Sequence, residues 1–311
     1  MKRVLLTGAT GFVGRHCLAP LHARGYEVHA VSSRAPQESF SHVRWHQADL
    51  LDAGRVAELM ANVRPTHLLH LAWYAVPGKY WTSLENIRWV QASLELLRAF
   101  AEYEGKRVVV AGSCAEYDWR YGYCSEKLTP LAPSTLYGVC KLSLGNIVEA
   151  FAAQTGLSAA WGRIFFLYGP HEYPERLVAS VIRSLIQNEP ARCSHGKQIR
   201  DFLHVQDAAD AFVALLESDA IGAVNIASGR PVALAQVIET IAHQLERRDL
   251  IRLGAIPAPA DEAPLLVADA RRLNTEVGWL PKYDLATGLD DTIGWWQKHL
   301  TQSQGVGLSA I

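Results

Sequence analysis

The sequence predicts an α/β fold in which a doubly wound parallel sheet carries a smaller C-terminal lobe that binds substrate. Short apolar runs alternate with longer helical patterns, a glycine-rich loop follows the first run, and the alternation breaks after Phe166. Strands separated by helices need crossover connections, which give a parallel sheet covered on both faces. The 311 residues, 49% of them hydrophobic, are enough for one large domain and one smaller one.

The first half of the chain supplies the elements of this sheet. Strands are predicted where short apolar runs occur, at 3–7, 27–32, 43–46, 67–72, 107–112 and 158–165. Helices are predicted where apolar residues recur at helical spacing, at 12–24, 52–63, 82–104 and 136–154. Because most of these strands are joined by a helix, the order of elements indicates successive β-α-β units.

The second half is organised differently. One more strand is predicted at 223–227 and helices at 232–246 and 285–299, with an irregular Pro- and Ala-rich connection over 251–264. Residues 1–165 and 202–229 are assigned to the dinucleotide-binding domain, residues 166–201 and 230–300 to the substrate lobe, and 301–311 to a frayed tail.

Composition excludes several classes of protein. Lys plus Arg is 30 and Asp plus Glu is 31, and the resulting net charge of −1 does not suit a nucleic-acid or membrane-surface binder. No run reaches the ~18 apolar residues of a membrane helix, so we expect a cytoplasmic protein. The five cysteines form no C-x-x-C pair, which argues against a disulfide framework or a zinc site and predicts reduced thiols and no bound metal.

The glycine loop between the first strand and the first helix predicts a dinucleotide site. Gly8, Gly11 and Gly14 have G-x-x-G-x-x-G spacing, and Phe12 and Val13 lie between the last two. Glycines let the backbone approach a pyrophosphate, and the helix N-terminus offers free N–H groups. A Rossmann-type fold is therefore expected.

The end of the second strand favours NADP(H), with NAD(H) as the alternative. A carboxylate there normally grips the ribose of NAD, but the chain has Ser32, Ser33 and Arg34. Arginine and serine suit a 2′-phosphate, although Arg34 also fits a solvated loop. Asp49 and Leu50 close the third strand and are expected to contact the adenine. The alternative is that Asp49 caps the next helix.

A tyrosine, a lysine and a serine form the candidate catalytic set. Tyr137 and Lys141 are four residues apart on a predicted helix, so both side chains lie on one face. A nearby ammonium is expected to lower the tyrosine pKa and let the phenol exchange a proton with a substrate oxygen. Ser113 ends the fifth strand, at the sheet edge where doubly wound folds bind ligands.

These motifs occur in the order of one known family. The further matches are His70 to Ala72, Glu126 to Pro130, Arg163, Leu167 to Pro170, Gly196 to Asp207, Asn225 to Gly229 and Gly278 to Pro281. Over about residues 1–300 the chain resembles an extended short-chain dehydrogenase/reductase of the NAD-dependent epimerase/dehydratase group, which acts on nucleotide sugars.

The resemblance implies roles for single residues. Ser113, Tyr137 and Lys141 match the family's catalytic triad, and Lys141 is also expected to hold the nicotinamide ribose. The segment of Leu71, Ala72 and Trp73 is expected to contact the cofactor.

Further expectations concern the diphosphate and the oligomer. Arg200 matches a position that often contacts the substrate diphosphate, with an ion pair to Asp201 or Asp207 as the alternative, and Asp207 is expected to cap a helix. A homodimer through helices 82–104 and 136–154 is implied.

The reaction is narrowed by departures from the family's patterns. The 4,6-dehydratases carry Asp-Glu where this chain has Cys114 and Ala115, which argues against loss of water. The 3,5-epimerase/4-reductases need a cysteine two residues after the serine and a histidine where Arg176 stands. The 4-epimerases fit the triad, but they usually keep the acidic ribose contact and an asparagine where Phe166 stands.

The leading prediction is an NAD(P)H-dependent 4-ketoreductase acting on a nucleotide-linked 4-keto-6-deoxyhexose. A 4-epimerase and a 3,5-epimerase/4-reductase remain alternatives. A non-enzymatic dinucleotide sensor is opposed by the retained tyrosine and lysine. The predicted contacts to sugar and phosphate, beyond Arg200, are Tyr117, His171, Arg176, Glu172, Trp73 and Trp119.

Overall fold

The computed structural model describes residues 2–34, 41–259 and 262–307. The strands are β1 Arg3–Thr7, β2 Glu27–Ser32, β3 Val43–Gln47, β4 His67–His70, β5 Arg107–Ser113, β6 Tyr123–Cys124, β7 Ser158–Ile164, β8 Phe166–Tyr168, β9 Ala191–Arg192, β10 Ile199–His204, β11 Gly222–Ile226, β12 Pro231–Ala233, β13 Ile251–Arg252 and β14 Leu265–Ala268. The helices are α1 Gly14–Ala23, α2 Ala53–Val63, α3 Glu85–Glu102, α4 Leu136–Thr155, α5 Leu177–Ile186, α6 Val205–Glu217, α7 Leu234–Gln244, α8 Arg271–Thr275 and α9 Leu285–Gly307.

The main sheet confirms the predicted fold class. Within the described residues it has seven strands in the order β11-β7-β5-β4-β1-β2-β3, and each neighbouring pair is parallel. The strand order reverses direction between β1 and β4, which is where doubly wound sheets open a crevice at the carboxyl ends of their strands.

Alternating side chains of the central strands pack against helices on both faces. Val4 and Leu6 lie in one buried cluster with residues of α1 and α6, whereas Leu5 lies in the opposite cluster with residues of α2 and α3. Successive side chains of a strand point to opposite faces, so a strand covered on both sides reads as an unbroken apolar run. This is why the strands were visible in the sequence.

A smaller mixed sheet stands beside the main one. It has the order β12-β10-β14-β6, and β8 also pairs with β10. A separate buried cluster joins α5, α7 and α9 beneath it. The boundary proposed at 201/202 falls within β10, and the assignment of domains by residue range remains a proposal.

The last helix reaches into the predicted tail. Helix α9 extends to Gly307, and the frayed tail over 301–311 stays a prediction. No proline interrupts this segment, and the backbone hydrogen bonds of the helix continue through it. Residues 308–311 lie outside the described residues.

Two further expectations concern cysteines and membranes. All five cysteines are free and buried, as predicted for reduced thiols. In the described part of the chain, no helix has the length and apolar character needed to cross a membrane.

Candidate active site

The glycine loop has the shape of a cradle for a pyrophosphate. Gly8 has φ +70°, and a Cβ there would lie 2.8 Å from the Ala72 nitrogen. A Cβ on Gly14 would lie 2.1 Å from the Gly8 oxygen. Helix α1 begins at Gly14 with no side-chain cap from Val13. The Arg15 and His16 amides donate to the Gly11 and Val13 carbonyls, so α1 offers an anion the positive end of its dipole. The loop therefore fits a dinucleotide, with partly buried Phe12 and exposed Gly11 beside it.

Buried polar contacts hold this loop against the end of β4. The Thr7 hydroxyl, fully buried, lies 2.7 Å from His70 Nδ1 and accepts from the Leu71 and Ala72 amides at 3.2 Å each. The Ser93 hydroxyl donates to a backbone carbonyl, so the Ser93 oxygen accepts from His70 Nε2 at 2.8 Å. Burial lowers the pKa of His70 to about 3, so the ring is neutral and bridges the two groups.

The end of β2, where the adenosine ribose is expected, carries no carboxylate. Arg34 and Ser33 are exposed, and the Ser32 hydroxyl accepts from the Arg34 amide at 3.2 Å. The carboxylate of Asp49 is exposed and accepts from the Leu51 amide at 3.0 Å.

The cap of helix α2 comes from a different aspartate. Asp52 accepts from the Gly54 and Arg55 amides, so the alternative that Asp49 is the cap is wrong. Leu50 is buried in the core.

Ser113, Tyr137 and Lys141 come together at the carboxyl edge of the sheet. The Ser113 side chain hydrogen-bonds Tyr137. Lys141 is buried, donates from Nζ to the Ala111 carbonyl at 2.8 Å, and lies against the face of Trp73. The three side chains occupy the edge at which the sequence placed them.

The electrostatics differ from the sequence-based expectation. Burial raises the pKa of Tyr137 above its ordinary value, and the Ser113 hydrogen bond opposes this only in part. Burial also lowers the pKa of Lys141 to about 7, with Glu116 opposing. The net shift of the Tyr137 pKa is therefore upward rather than downward as expected, because desolvation is the largest effect on both groups.

A close backbone contact sets the position of α4. Thr135 caps the helix by accepting from the Gly138 amide at 3.1 Å. A Cβ at Gly138 would lie 2.5 Å from the Ala115 carbonyl, so this glycine lets α4 approach the turn that follows Ser113. The close approach brings the phenol of Tyr137 to the serine.

Sequence reasoning missed Glu116 as the residue that anchors Ser113. Its side chain is fully buried and accepts from the Ser113 amide at 2.7 Å, from Arg163 Nε at 2.7 Å, and from the Trp161 indole at 2.9 Å. Ser113 and Glu116 form a capping box around a short 3-10 turn. The S-x-x-E spacing was a readable signal of this contact.

Tyr117 belongs to the same network, and its predicted role at the sugar is wrong. The residue is 1% exposed. Its hydroxyl donates to Asn225 Oδ1 at 2.8 Å and accepts from Arg163 Nη1 at 3.1 Å. The hydroxyl thus donates and accepts hydrogen bonds inside the core, so it is not available to a substrate.

Aromatic side chains surround Tyr137. The rings of Tyr80, Trp81 and Trp73 cross it edge to face at centroid distances of 4.8, 5.7 and 6.5 Å. The Trp119 ring lies 6.2 Å from Trp81. Trp73 and Trp119, predicted for the sugar pocket, therefore lie in one aromatic cluster with the candidate acid–base group.

Asn86 organises this cluster and was not predicted. It is fully buried, accepts from the Trp73 indole at 2.8 Å, and donates to the carbonyls of Tyr80 and Ser83 at 2.7 and 2.8 Å. A single amide thus holds both Trp73 and the turn that carries Tyr80 and Trp81.

The segment after β8 contains three residues predicted to contact the substrate, and they lie in different surroundings. His171 has φ +68°, contacts Arg15 through Nδ1, and packs at a tilt against Trp295, with the ring centroids 4.6 Å apart. These contacts lie on α1 and α9 rather than at Ser113 and Tyr137, so the packing does not support a sugar contact for His171.

Glu172 and Arg176 follow His171 in the same segment. Glu172 is 4% exposed, and its Oε2 has no partner among the described residues. Burial raises the pKa of Glu172 to about 8, with the charge of Arg176 opposing. Arg176 is exposed and hydrogen-bonds Tyr80, which places it beside the aromatic cluster.

Arg200 is buried and pairs with neither of the expected aspartates. Its Nη2 lies 2.8 Å from Glu262 Oε1. The carboxylate of Asp201 accepts from the Ser228 hydroxyl and amide instead. The expectation of a helix cap for Asp207 is also wrong.

Asp207 instead joins α6 to a segment far along the chain. Its carboxylate accepts from the Lys282 and Tyr283 amides. His204 provides the cap of α6, since its side chain accepts from the Gln206 amide.

The fold and these residues define a class of protein. A doubly wound sheet, a glycine cradle before α1, and a serine, tyrosine and lysine at the carboxyl edge are the features of an extended short-chain dehydrogenase/reductase. The chain belongs to the NAD dependent epimerase/dehydratase family, whose model matches residues 4–227. It is therefore an enzyme that uses a nicotinamide dinucleotide, in a family that modifies nucleotide sugars.

Individual relatives are distant but similar over nearly their whole length. The dTDP-glucose 4,6-dehydratase of Neisseria meningitidis serogroup B is 26% identical over 348 residues, covering 98% of this chain and 96% of that protein. The structure of MoeE5 in complex with UDP-glucose and NAD has a TM-score of 0.82 and 29% identity, covering 96% and 100% of the two chains. The UDP-N-acetylglucosamine 4-epimerase of Methanobrevibacter ruminantium M1 has a TM-score of 0.86 at 23% identity, covering 96% and 99%, and shows the likeness of fold.

Proposed function

We propose that this protein is an NADPH-dependent 4-ketoreductase of a nucleotide-linked 4-keto-6-deoxyhexose. The observation that carries the proposal is the meeting of Ser113, Tyr137 and Lys141 at the carboxyl edge of the sheet. Cys114 and Ala115 directly follow Ser113, and the Glu116 carboxylate that comes next is fully buried and paired with Arg163. The bound dinucleotide supplies the hydride that reduces the C4 carbonyl.

The chain's own residues supply orientation and a proton. The Ser113 hydroxyl, held by the backbone contact to Glu116, donates to the C4 oxygen and orients it. The raised pKa of Tyr137 keeps its phenol protonated at neutral pH, as the donor in a reduction must be. Lys141, in its cationic form, stabilises the phenolate left after the proton transfer and holds the nicotinamide ribose.

The 2′-phosphate preference rests on the end of β2. Ser32 ends β2 and exposed Arg34 lies two residues further along, and neither side chain repels a phosphate. An arginine binds phosphate oxygens through paired N–H donors. NADP(H) is therefore the proposed cofactor, while NAD(H) is the cofactor present in the MoeE5 structure.

Two other reactions of the family are weighed against this one. A dehydratase needs acids next to the reacting sugar, but buried Cys114 and Ala115 follow Ser113, and burial raises the pKa of the Cys114 thiol. A redox-neutral 4-epimerase is the second candidate, because the similar MoeE5 structure holds UDP-glucose with NAD.

A cofactor oxidation assay distinguishes the candidates. The purified enzyme is mixed with NADPH, or NADH in parallel, and a panel of nucleotide-linked 4-keto-6-deoxyhexoses, and the loss of nicotinamide absorbance is followed. Turnover is expected with NADPH, and Tyr137→Phe should lower kcat by about 10²–10⁴-fold because the proton donor is lost.

The control separates loss of the donor from loss of the fold. Tyr121→Phe removes the hydroxyl of a tyrosine that is 59% exposed, and it should leave kcat unchanged. If NADPH is not consumed while a UDP- or dTDP-hexose changes configuration with catalytic NAD, the enzyme is an epimerase and the reductase proposal fails.

A further inference from the structure

We propose that Glu116 is a positioning residue of the catalytic set, which fixes the end of β5 that carries Ser113 and keeps Lys141 cationic through the charge of its carboxylate. The inference rests on the proposed function, because it uses the roles given there to Ser113 and Lys141. Glu116 is fully buried, so it acts through these two residues rather than on the substrate.

Glu116 holds the backbone of Ser113 in a short turn. Its Oε1 accepts from the Ser113 amide at 2.7 Å, and the Ser113 hydroxyl accepts from the Ala115 amide at 3.1 Å. The two bonds close a capping box and set the direction of the hydroxyl. A misplacement of about 1 Å in a catalytic group can cost about 10²-fold in rate, so a buried anchor at this point affects catalysis.

Trp161 ties the same carboxylate to the strand and to α4. Its indole Nε1 donates to both oxygens of Glu116, at 2.9 and 3.0 Å. A Cβ on Gly112 would lie 2.1 Å from that nitrogen, and a Cβ on Gly145 would lie 3.1 Å from Cε2 of the same ring. Two glycines, one on β5 and one on α4, therefore make room for the indole. The position of Glu116 is thus coupled to the spacing between β5 and α4.

Strand β5 also holds Lys141. The Lys141 Nζ donates to the carbonyl of Ala111, two residues before Ser113 on the same strand, at 2.8 Å. Lys141 and Ser113 thus depend on one stretch of backbone, which ends at the turn that Glu116 closes. A displacement of that stretch moves the hydroxyl and the ammonium together.

The carboxylate of Glu116 acts on Lys141 by its charge as well. Lys141 is 4% exposed, and burial is the main reason that its pKa falls to about 7, while the charge of Glu116 raises it. Among the other titratable groups near Lys141, burial keeps His70 on β4 neutral, and Tyr137 on α4 is a protonated phenol. Glu116 therefore supplies the negative charge that favours the cationic form of Lys141.

Arg163 makes Glu116 important for stability too. Its Nε donates to Glu116 Oε2 at 2.7 Å, and its Nη1 donates to the Tyr117 hydroxyl at 3.1 Å. Because this salt bridge is buried, loss of the carboxylate leaves an uncompensated guanidinium. A loss of stability alone does not shift the pH dependence of the folded enzyme, so pH profiles separate the two effects.

The experiment measures two pH profiles, that of kcat for NADPH oxidation and that of NADPH affinity by fluorescence. Activity and ribose binding that need cationic Lys141 are present below its pKa and are lost as pH rises through it. Glu116→Gln keeps an oxygen for the Ser113 amide and loses the charge, so both alkaline limbs should move to lower pH by about one unit.

Glu116→Asp is the complementary variant. It keeps the charge and is shorter by one methylene, so the anchor no longer reaches the Ser113 amide in the same geometry. We expect kcat to fall by about 10²-fold, with alkaline limbs close to those of wild type.

Glu126→Gln is the matched structural control. Glu126 is partly buried and accepts from the Asn225 amide at 2.8 Å, so it resembles Glu116 in anchoring a backbone amide. Its substitution should leave kcat and both alkaline limbs unchanged, whatever its effect on the midpoint of urea unfolding.

A double variant keeps the test possible when Glu116→Gln alone does not fold. Adding Arg163→Met removes the uncompensated guanidinium, and replacing a buried ion pair in full is often tolerated. The alkaline limbs of the double variant should also lie below those of wild type, because the charge that raises the pKa of Lys141 is that of Glu116.

The outcomes distinguish the inference from the proposed function. Wild-type alkaline limbs without the carboxylate, or wild-type kcat in Glu116→Asp, would overturn the inference and leave the proposed function standing. If wild type reduces none of the 4-keto-6-deoxyhexoses, the proposed function fails, and a lower alkaline limb of NADPH affinity in Glu116→Gln still supports the role of Glu116.

Discussion

The ammonium nitrogen of Lys141 lies 3.7 Å from the centre of the Trp73 ring. Trp73 is in turn held by its indole N–H to fully buried Asn86. A cation against an aromatic face is stabilised relative to its neutral form, by up to about 2 kcal/mol when water is excluded. Trp73 thus opposes the burial that lowers the pKa of Lys141 to about 7.

Trp73→Leu should shift the pH dependence of kcat. Loss of the aromatic face destabilises the ammonium, so the pKa of Lys141 falls further, by about one unit for ~1.4 kcal/mol. Activity that needs the cation is present below that pKa and is lost as pH rises through it, so the alkaline limb moves to lower pH. Two other titratable groups face Lys141. The Glu116 carboxylate raises the pKa of Lys141, and burial keeps His70 neutral.

Trp73→Phe is the matched control, because it keeps an aromatic face and loses the hydrogen bond to Asn86. Its alkaline limb should lie between those of wild type and Trp73→Leu. Identical pH profiles for all three proteins would show that the ring does not act on Lys141.

Glu116→Gln should strongly destabilise the fold. Glu116 is fully buried against Arg163, with Nε and Oε2 at 2.7 Å, and removal of one partner of a buried pair costs about 3–5 kcal/mol. Urea unfolding measures the change. Glu102→Gln, at the exposed ion pair with Arg98 on α3, should leave the midpoint unchanged. Equal effects of the two substitutions would contradict the assigned role of the buried pair.

Glu172 should make stability depend on pH. Burial raises its pKa to about 8 in the folded protein, against about 4.3 in an unfolded chain. Between these values the folded state holds the extra proton, so stability is full below about pH 4.3 and declines as pH rises to about 8. The slope approaches ~1.4 kcal/mol per pH unit for one proton.

Glu172→Gln should flatten that decline, and thermal melting between pH 5 and 8 detects it. Glu175→Gln, at an exposed neighbour, should melt with the wild-type pH dependence. A wild-type slope retained in Glu172→Gln would contradict the assignment.

Gly14→Ala should weaken dinucleotide binding at least tenfold. The added Cβ would lie 2.1 Å from the Gly8 carbonyl oxygen, so the cradle must distort. A fluorescence titration with NADPH should show at least a tenfold loss in affinity, about 1.4 kcal/mol. Gly294→Ala on α9, where a Cβ meets nothing within 4 Å, should bind normally. Normal binding by Gly14→Ala would rule out the loop as the pyrophosphate site.

The predicted homodimer has a surface that can be tested. Leu84 and Ile87, near the start of α3, and Val139 and Ile147 on α4 are exposed apolar side chains, 73%, 46%, 44% and 43% exposed. Ile87→Glu combined with Ile147→Glu should convert a dimer to a monomer in light scattering. Leu280→Glu, at a residue 67% exposed elsewhere, should not. A double variant that remains dimeric would place the interface on another surface.

The sequence by itself determined the main sheet, its order of elements, the glycine cradle, and the meeting of Ser113, Tyr137 and Lys141. These features follow from local signals, namely apolar runs, helical spacing and the position of a residue at the end of a strand. Such signals involve residues close together in the chain, or strands whose parallel pairing brings their carboxyl ends to one edge.

Only the tertiary structure decided which distant polar groups pair. The Tyr117 hydroxyl hydrogen-bonds Asn225 and Arg163, and Arg200 pairs with Glu262. The Asp207 carboxylate accepts hydrogen bonds from the amides of residues 282 and 283. Several side chains of each charge and polarity are available along the sequence, and no periodicity distinguishes among them. The packing of sheets and loops decides which of these groups come within hydrogen-bond distance. Because the interior excludes water, a buried polar group without a partner is costly there.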